Sequence, residues 1–156
     1  MSDTNNVGNQ IIVLFHLDET QYALYLSTVE RVIPVVKITP LPKAPEIVMG
    51  VVNFHGEIMP VVNIRKRFNL PVREIELDDQ LIIAHVSNRF VALVVDSVIG
   101  VHELEHDQFV NTEDEFPYAD YLSGIAKIEN NIVLIHDLEK FLSLDELQII
   151  DEVLST

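Results

Sequence analysis

The chain has no cysteine, no tryptophan, only five glycines, and ten basic residues against twenty-five acidic ones. Without cysteine there can be no disulfide, thiolate nucleophile or thiolate metal site, a composition that suits a reducing cytosol. The glycines are too few and too widely spaced for a phosphate-cradling loop, and no G-x-S-x-G elbow for acyl transfer is present. A net charge of −15 repels phosphate backbones and anionic head groups, so neither nucleic acid nor a membrane surface is an expected partner. Long apolar runs are also missing. The first, Ile11 to Leu17, is interrupted by His16 and follows the polar stretch Met1 to Gln10, which suits neither a signal peptide nor a membrane span. What is there is 156 residues, 48% of them hydrophobic, enough for a compact cytoplasmic domain.

The most informative feature is an internal repeat. Ile12–Val32 aligns without a gap on Leu81–Val101, with identities at His16/His85, Ala23/Ala92, Leu24/Leu93, Val29/Val98 and Val32/Val101. A second block, Gly50–Lys66, aligns on Gly124–Lys140. Each half reads as short strands rich in β-branched and aromatic residues, joined by turn residues. The predicted turns are Asp18-Glu-Thr-Gln, His55-Gly56-Glu57, Ser87-Asn-Arg and Glu129-Asn130-Asn131. Each half then runs into a short helical turn. Pro34, Pro40, Pro42 and Pro45 mark a loop in the first half, and Asn111 to Pro117 one in the second. Strands this short cannot protect their own edges, so the predicted fold is mainly β: two small barrels side by side. Ser143-Leu-Asp-Glu146 is a capping box opening an amphipathic helix whose Leu144, Leu147, Ile150 and Leu154 are expected to pack on the protein's own β-structure.

Few residues offer chemistry. His102-Glu103-Leu104-Glu105-His106 satisfies H-E-x-x-H, but zinc-protease chemistry needs that motif on a helix, and this segment continues a β-like run with no evident third ligand. His16 and His85 sit at equivalent strand positions, where a solvated or hydrogen-bonded imidazole is the ordinary role. Asp78-Asp79 and Glu113-Asp-Glu115 read as solvated charge in polar loops. The basic triplet Arg65-Lys66-Arg67 has two readings, capping of a helix C-terminus and contact with an acidic partner. No enzymatic activity, cofactor or metal is expected.

Together these residues resemble the CheW family of chemotaxis coupling proteins. The resemblance rests on Tyr22-Ala-Leu with Val29 and Val32, Ile38-Thr-Pro-Leu-Pro with Ala44-Pro45, and Gly50-Val-Val-Asn53 with Gly56, Ile58 and Pro60-Val61. Arg67-Phe68-Asn-Leu, Val94-Val-Asp96-Ser97-Val98, Tyr121-Leu-Ser-Gly124-Ile-Ala and Ile135-His-Asp-Leu-Glu-Lys-Phe-Leu142 extend it. It implies a CheW-like domain over residues 11–142, built of two intertwined five-stranded SH3-like barrels at 12–70 and 81–142, with a C-terminal helix at 143–156. It further implies a non-catalytic adaptor coupling methyl-accepting chemoreceptors to the regulatory domain of the histidine kinase CheA, in arrays at the inner face of the membrane. By resemblance the receptor's helical hairpin would meet Val29, Glu30, Arg31, Val32, Asn53, His55 and Gly56, leaving barrel faces for the kinase.

The chain departs from the family at two of these positions. Arg31 stands where an acid is usual in Val-x-Glu-Val/Ile, and His55 where arginine is usual in Asn-x-Arg-Gly. Both lie on the expected receptor surface, so they are expected to mark a different receptor set, since charge arrangement sets partner choice more than raw affinity.

Overall fold

The computed structural model describes residues 9–86, 88–110, 122–140 and 144–154. The strands are β1 (Asn9–Leu17), β2 (Thr20–Tyr25), β3 (Val29–Pro34), β4 (Val48–Phe54), β5 (Glu57–Val62), β6 (Gln80–Val86), β7 (Arg89–Val95), β8 (Ser97–Glu105), β9 (Phe109–Val110), β10 (Leu122–Ile128) and β11 (Asn131–His136). The helices are α1 (Ile64–Arg67) and α2 (Leu144–Leu154). The predicted loop at Asn111 to Pro117, the Glu113-Asp-Glu115 acids, the Ser143 cap, and Tyr121, Phe141 and Leu142 lie outside the described residues.

Two sheets carry the fold, one ordered β8-β1-β2-β11-β10-β9 and the other β3-β6-β7-β5-β4. The mainly-β expectation is borne out, and the strands predicted to form two barrels are arranged in two sheets. One sheet has six strands rather than five, because the two-residue β9 adds to its edge. Neither sheet is built from one half of the repeat: the first hairpin of each half crosses over, β1–β2 joining β8–β11 and β6–β7 joining β3–β5. Contiguous units at 12–70 and 81–142 therefore do not coincide with the sheets. In this arrangement each exchanged hairpin buries apolar residues on both faces. Ile12 and Leu14 enter one core, while Phe15 and Leu17 enter another.

The repeat holds at the level of register. Parallel pairing joins Ile135 to Ala23 in the six-stranded sheet and Val61 to Ala92 in the other, which are the same positions in the two copies. Val101 faces Val13 as Val32 faces Ile82. Each sheet encloses its own small core at matching positions. Ile12, Leu14, Ala23, Ala126, Val133 and Ile135 fill one, and Leu81, Ile83, Ala92, Val52, Met59 and Val61 fill the other. A third and larger core lies between the sheets and draws on both, including Phe15, Leu24, Val62, Ile82 and Leu93. Ile150 of α2 is buried in it, with Leu147 and Leu154 packed alongside, so the helix docks on its own chain as its apolar stripe predicts.

The hairpin turns are shorter than predicted, by two residues after Leu17 and by one after Phe54, Val86 and Ile128. Glu57 pairs with Phe54, and Arg89 with Val86, so both belong to strands. In the β4–β5 turn, His55 (φ 54°) and Gly56 (φ 84°) are both left-handed, the pattern of a two-residue turn whose twist matches the strands. Glu129 and Asn130 do the same in the β10–β11 turn.

Candidate functional site

The five-stranded sheet curls far enough to bring its two edge strands together at one end. There the guanidinium of Arg31, on β3, lies 5.5 Å from the ring centroid of Phe54, on β4. Earlier on β4, Val51 exchanges two backbone hydrogen bonds with Thr39 of the link between β3 and β4, at 2.9 and 2.8 Å. The mouth at the Arg31–Phe54 end is an open cavity of about 260 Å³, lined by Glu30, Arg31, Phe54, His55, Glu57, Met59, Ile83 and Phe90. Its floor, Met59 and Ile83, is buried, and its rim is charged and exposed.

Of the residues expected at a receptor surface, this mouth gathers Glu30, Arg31 and His55. Glu30 is the extra residue of a bulge between Val29 and Arg31, which takes it out of the ladder with β6. From there its Oε1 lies 3.2 Å from Nε2 of His85, and a carboxylate can only accept, so that nitrogen carries the proton. His85 also packs on Phe90, ring centroids 4.4 Å apart, and the Phe54 and His55 rings meet edge-on at 4.1 Å. Val29 and Val32 are half-buried and turn toward the core between the sheets. Asn53 and Gly56 shape the turn, the Asn53 Oδ1 accepting from the Gly56 N–H at 2.9 Å.

Sequence reasoning missed Phe54, Glu57, Met59, Ile83 and Phe90, and gave His85 only its ordinary strand role. The signal was the turn length: a two-residue loop after Val86 sets His85 across from Phe90, whereas a three-residue loop shifts that register.

Two other expectations change. Arg65 neither caps a helix nor awaits a partner, because its guanidinium is bound to Asp18 at 3.0 Å and Asp96 at 2.8 Å. Arg73 bridges Asp96 and Asp79 at 2.6 and 2.8 Å, so Asp79 is a buried ion-pair member rather than solvated charge. Burial raises the Asp96 pKa, but hydrogen bonds from Arg65, the Asp18 N–H and Arg73 outweigh it and hold the carboxyl below its usual range. Arg67 binds both oxygens of Glu146 at 2.6 and 2.7 Å, tying α1 to α2, and Arg89 pairs with Asp151 farther along α2.

The H-E-x-x-H segment lies on β8 and the turn after it, not on a helix. Residues four apart on an extended chain are about 13 Å apart, too far to share one metal ion. Among the described residues no group of three or more His, Cys, Asp or Glu is placed to hold a metal. His136 is buried against Phe68 and Tyr22, with ring centroids 4.2 and 5.4 Å away, and burial lowers its pKa from 6.5 to about 4.

A two-sheet β module whose concave mouth mixes a cation, acids and aromatic rings, with α2 packed across its inter-sheet core, has the build of a protein-binding scaffold. The CheW-like domain family matches residues 12–146, and the chain belongs to that family. It is 31% identical over 147 residues to the chemotaxis protein CheW of Bacillus subtilis, covering 90% of this chain and 91% of that one. Over 131 residues it is 29% identical to CheW of Thermotoga maritima, covering 84% and 86%. The crystal structure of the scaffolding protein TtCheW from Thermoanaerobacter tengcongensis superposes with a TM-score of 0.76 at 30% identity, covering 88% of this chain and 94% of that one. The chain is a non-catalytic adaptor of chemotaxis signalling. No helix among the described residues is long and apolar enough to cross a membrane.

Proposed function

We propose that this chain couples the cytoplasmic tip of methyl-accepting chemotaxis receptors to the regulatory domain of a CheA-type histidine kinase, in cytoplasmic arrays at the inner face of the membrane. Residues 11–142 form the coupling unit, and the C-terminal segment 143–156, whose helix Leu144–Leu154 packs on the core between the sheets, seals it. The receptor meets Val29, Glu30, Arg31, Val32, Asn53, His55 and Gly56, and other faces of the sheets serve the kinase. The observation that supports this reading best is the mouth of the five-stranded sheet, where Glu30, Arg31 and His55 come together around an apolar floor. An apolar centre with a polar rim is the usual anatomy of a protein interface. Coupling then needs no chemistry: one rigid body holds two partners in fixed geometry, and the receptor's state reaches the kinase through that geometry.

The test is co-sedimentation of the purified chain with receptor-tip fragments and with a CheA regulatory domain, separately and together. Retention of both at once is expected, and binding to neither removes the reading. Arg31→Glu/His55→Arg should change the order of preference among several receptor tips. An unchanged order would show that the two departures carry no receptor specificity.

A further inference from the structure

The mouth of the five-stranded sheet is built on a register that the six-stranded sheet repeats with different residues. In the six-stranded sheet the positions matching Glu30, Arg31, Phe54, Glu57 and Phe90 are Ile99, Gly100, Ile128, Asn131 and Gln21, while His16 matches His85. Arg31 and the Phe54 and Phe90 rings have no cationic or aromatic residue at the matching positions, so they are additions to the repeated frame rather than consequences of it.

We infer that the mouth of the five-stranded sheet is a side-chain pocket that reads the receptor segment through a carboxylate beside a large apolar side chain. Arg31 takes the carboxylate, and His85 and Phe90 form the far wall. The inference rests on the coupling function proposed above and adds both a chemistry and residues to it. Arg31 is exposed and makes no ion pair among the described residues, whereas Arg65, Arg67, Arg73 and Arg89 are all bound to acids of the chain. Its contact with Phe54 fixes the side chain against one wall, and a guanidinium stacked on a ring keeps its edge N–H groups free for a planar carboxylate. Glu30 does not compete for it, being engaged by His85 across the bulge. Glu57, the remaining acid of the lining, restricts an incoming carboxylate to the Arg31 side. Below the rim lie Met59, Ile83, Phe54 and Phe90, and the open cavity as a whole, about 260 Å³, is on the scale of one large side chain rather than a small-molecule ligand. In a chain of net charge −15, an acidic partner group needs such a local cation.

The experiment measures affinity for a receptor-tip fragment encoded in the same genome, using the full chain, Arg31→Gln and Phe90→Ala. It is combined with tip variants in which each Glu or Asp is changed to its amide. Arg31→Gln should weaken tip binding about tenfold. One tip amide variant should cause the same loss on its own and add nothing on top of Arg31→Gln. Phe90→Ala should weaken binding comparably, whereas binding to the kinase regulatory domain should stay within about twofold for both variants. Because Arg31 is exposed, its variant reports on the pocket even if Phe90→Ala unfolds. Wild-type binding with no loss in Arg31→Gln overturns the pocket and leaves the coupling function standing. Loss of kinase binding with receptor binding intact also overturns it, by assigning the mouth to the other partner. A wild-type chain that binds no receptor tip overturns both.

Discussion

The six-stranded and five-stranded sheets share strand equivalences, bulges and private cores, and they differ in what was hung on that frame. Both carry a bulge at the same point, beside Glu30 in one and Ile99 in the other, and a second beside Met49 and Ser123. Positions that face inward keep their character between copies, as with Ala23 and Ala92 or Val61 and Ile135, because interior volume is constrained by neighbours on every side. Divergence is found on the mouth, with Arg31 against Gly100, and at particular places beside the inter-sheet core, with Val62 against His136 and Arg65 against Glu139, while Leu24 and Leu93 in that core are identical. The frame is thus the part of the molecule that is repeated, and the residues proposed to bind the receptor lie in what is not.

The comparison can be broken or sharpened by substitution at matched positions. Gly50 and Gly124 are equivalent, but a Cβ on Gly50 would lie 2.3 Å from the Thr39 carbonyl oxygen, and one on Gly124 no closer than 4.0 Å to Phe109. Gly50→Ala should therefore destabilise the protein by about 4 kcal/mol in urea unfolding, and Gly124→Ala by less than about 1 kcal/mol. Equal effects would mean that the Thr39–Val51 pairing does not constrain the five-stranded sheet at Gly50.

His136 occupies the place of Val62. Its folded pKa is depressed to about 4 from 6.5, so between those values the unfolded chain binds a proton that the folded chain refuses. Acidification across that window should remove roughly 3 kcal/mol of stability, with nothing lost above about pH 7. The Asp96 carboxyl adds to the loss at still lower pH, because its depressed pKa gives stability that is present above the usual carboxylate range and lost as pH falls through the folded value. His136→Val, which copies the other sheet, should flatten the pH 4 to 6.5 limb in thermal unfolding followed by circular dichroism.

The Asp18–Arg65–Asp96–Arg73–Asp79 network is not repeated at the matching positions of the six-stranded sheet, where Glu139 stands for Arg65 and Ser27 for Asp96. Breaking a buried pair costs 3–5 kcal/mol in general. Here Asp18 is about half exposed, so Arg65→Met should cost about 2 kcal/mol, read as a shift in urea midpoint.

Much of this was legible in the sequence, and the residues show why the rest was not. Identities such as Ala23/Ala92 and Val29/Val98 exposed the repeat, and alternation exposed the strands. A repeat states which positions are equivalent but not which copy they pair with, so the exchange of the first hairpins had no sequence signature. Arg65 and Asp79 were misread because local context shows a basic triplet and an acidic loop, while their partners lie on other elements: Asp18 and Asp96 for Arg65, Arg73 for Asp79. Within the candidate site, Glu30, Arg31 and His55 were found through family-like wording. Phe54 and Phe90 depend on sheet curvature and on a two-residue turn, properties of three-dimensional closure.

The most direct measurement exchanges the two bulge residues. Affinity for a receptor-tip fragment is compared between Glu30→Ile, which gives the five-stranded mouth the other's residue, and Ile99→Glu, which does the reverse; both side chains are exposed. A loss of about tenfold in Glu30→Ile with no change in Ile99→Glu is expected, because only the first releases His85 and disorders the far wall of the pocket. Undiminished binding in Glu30→Ile, or a loss confined to Ile99→Glu, would contradict the assignment of receptor recognition to the five-stranded mouth.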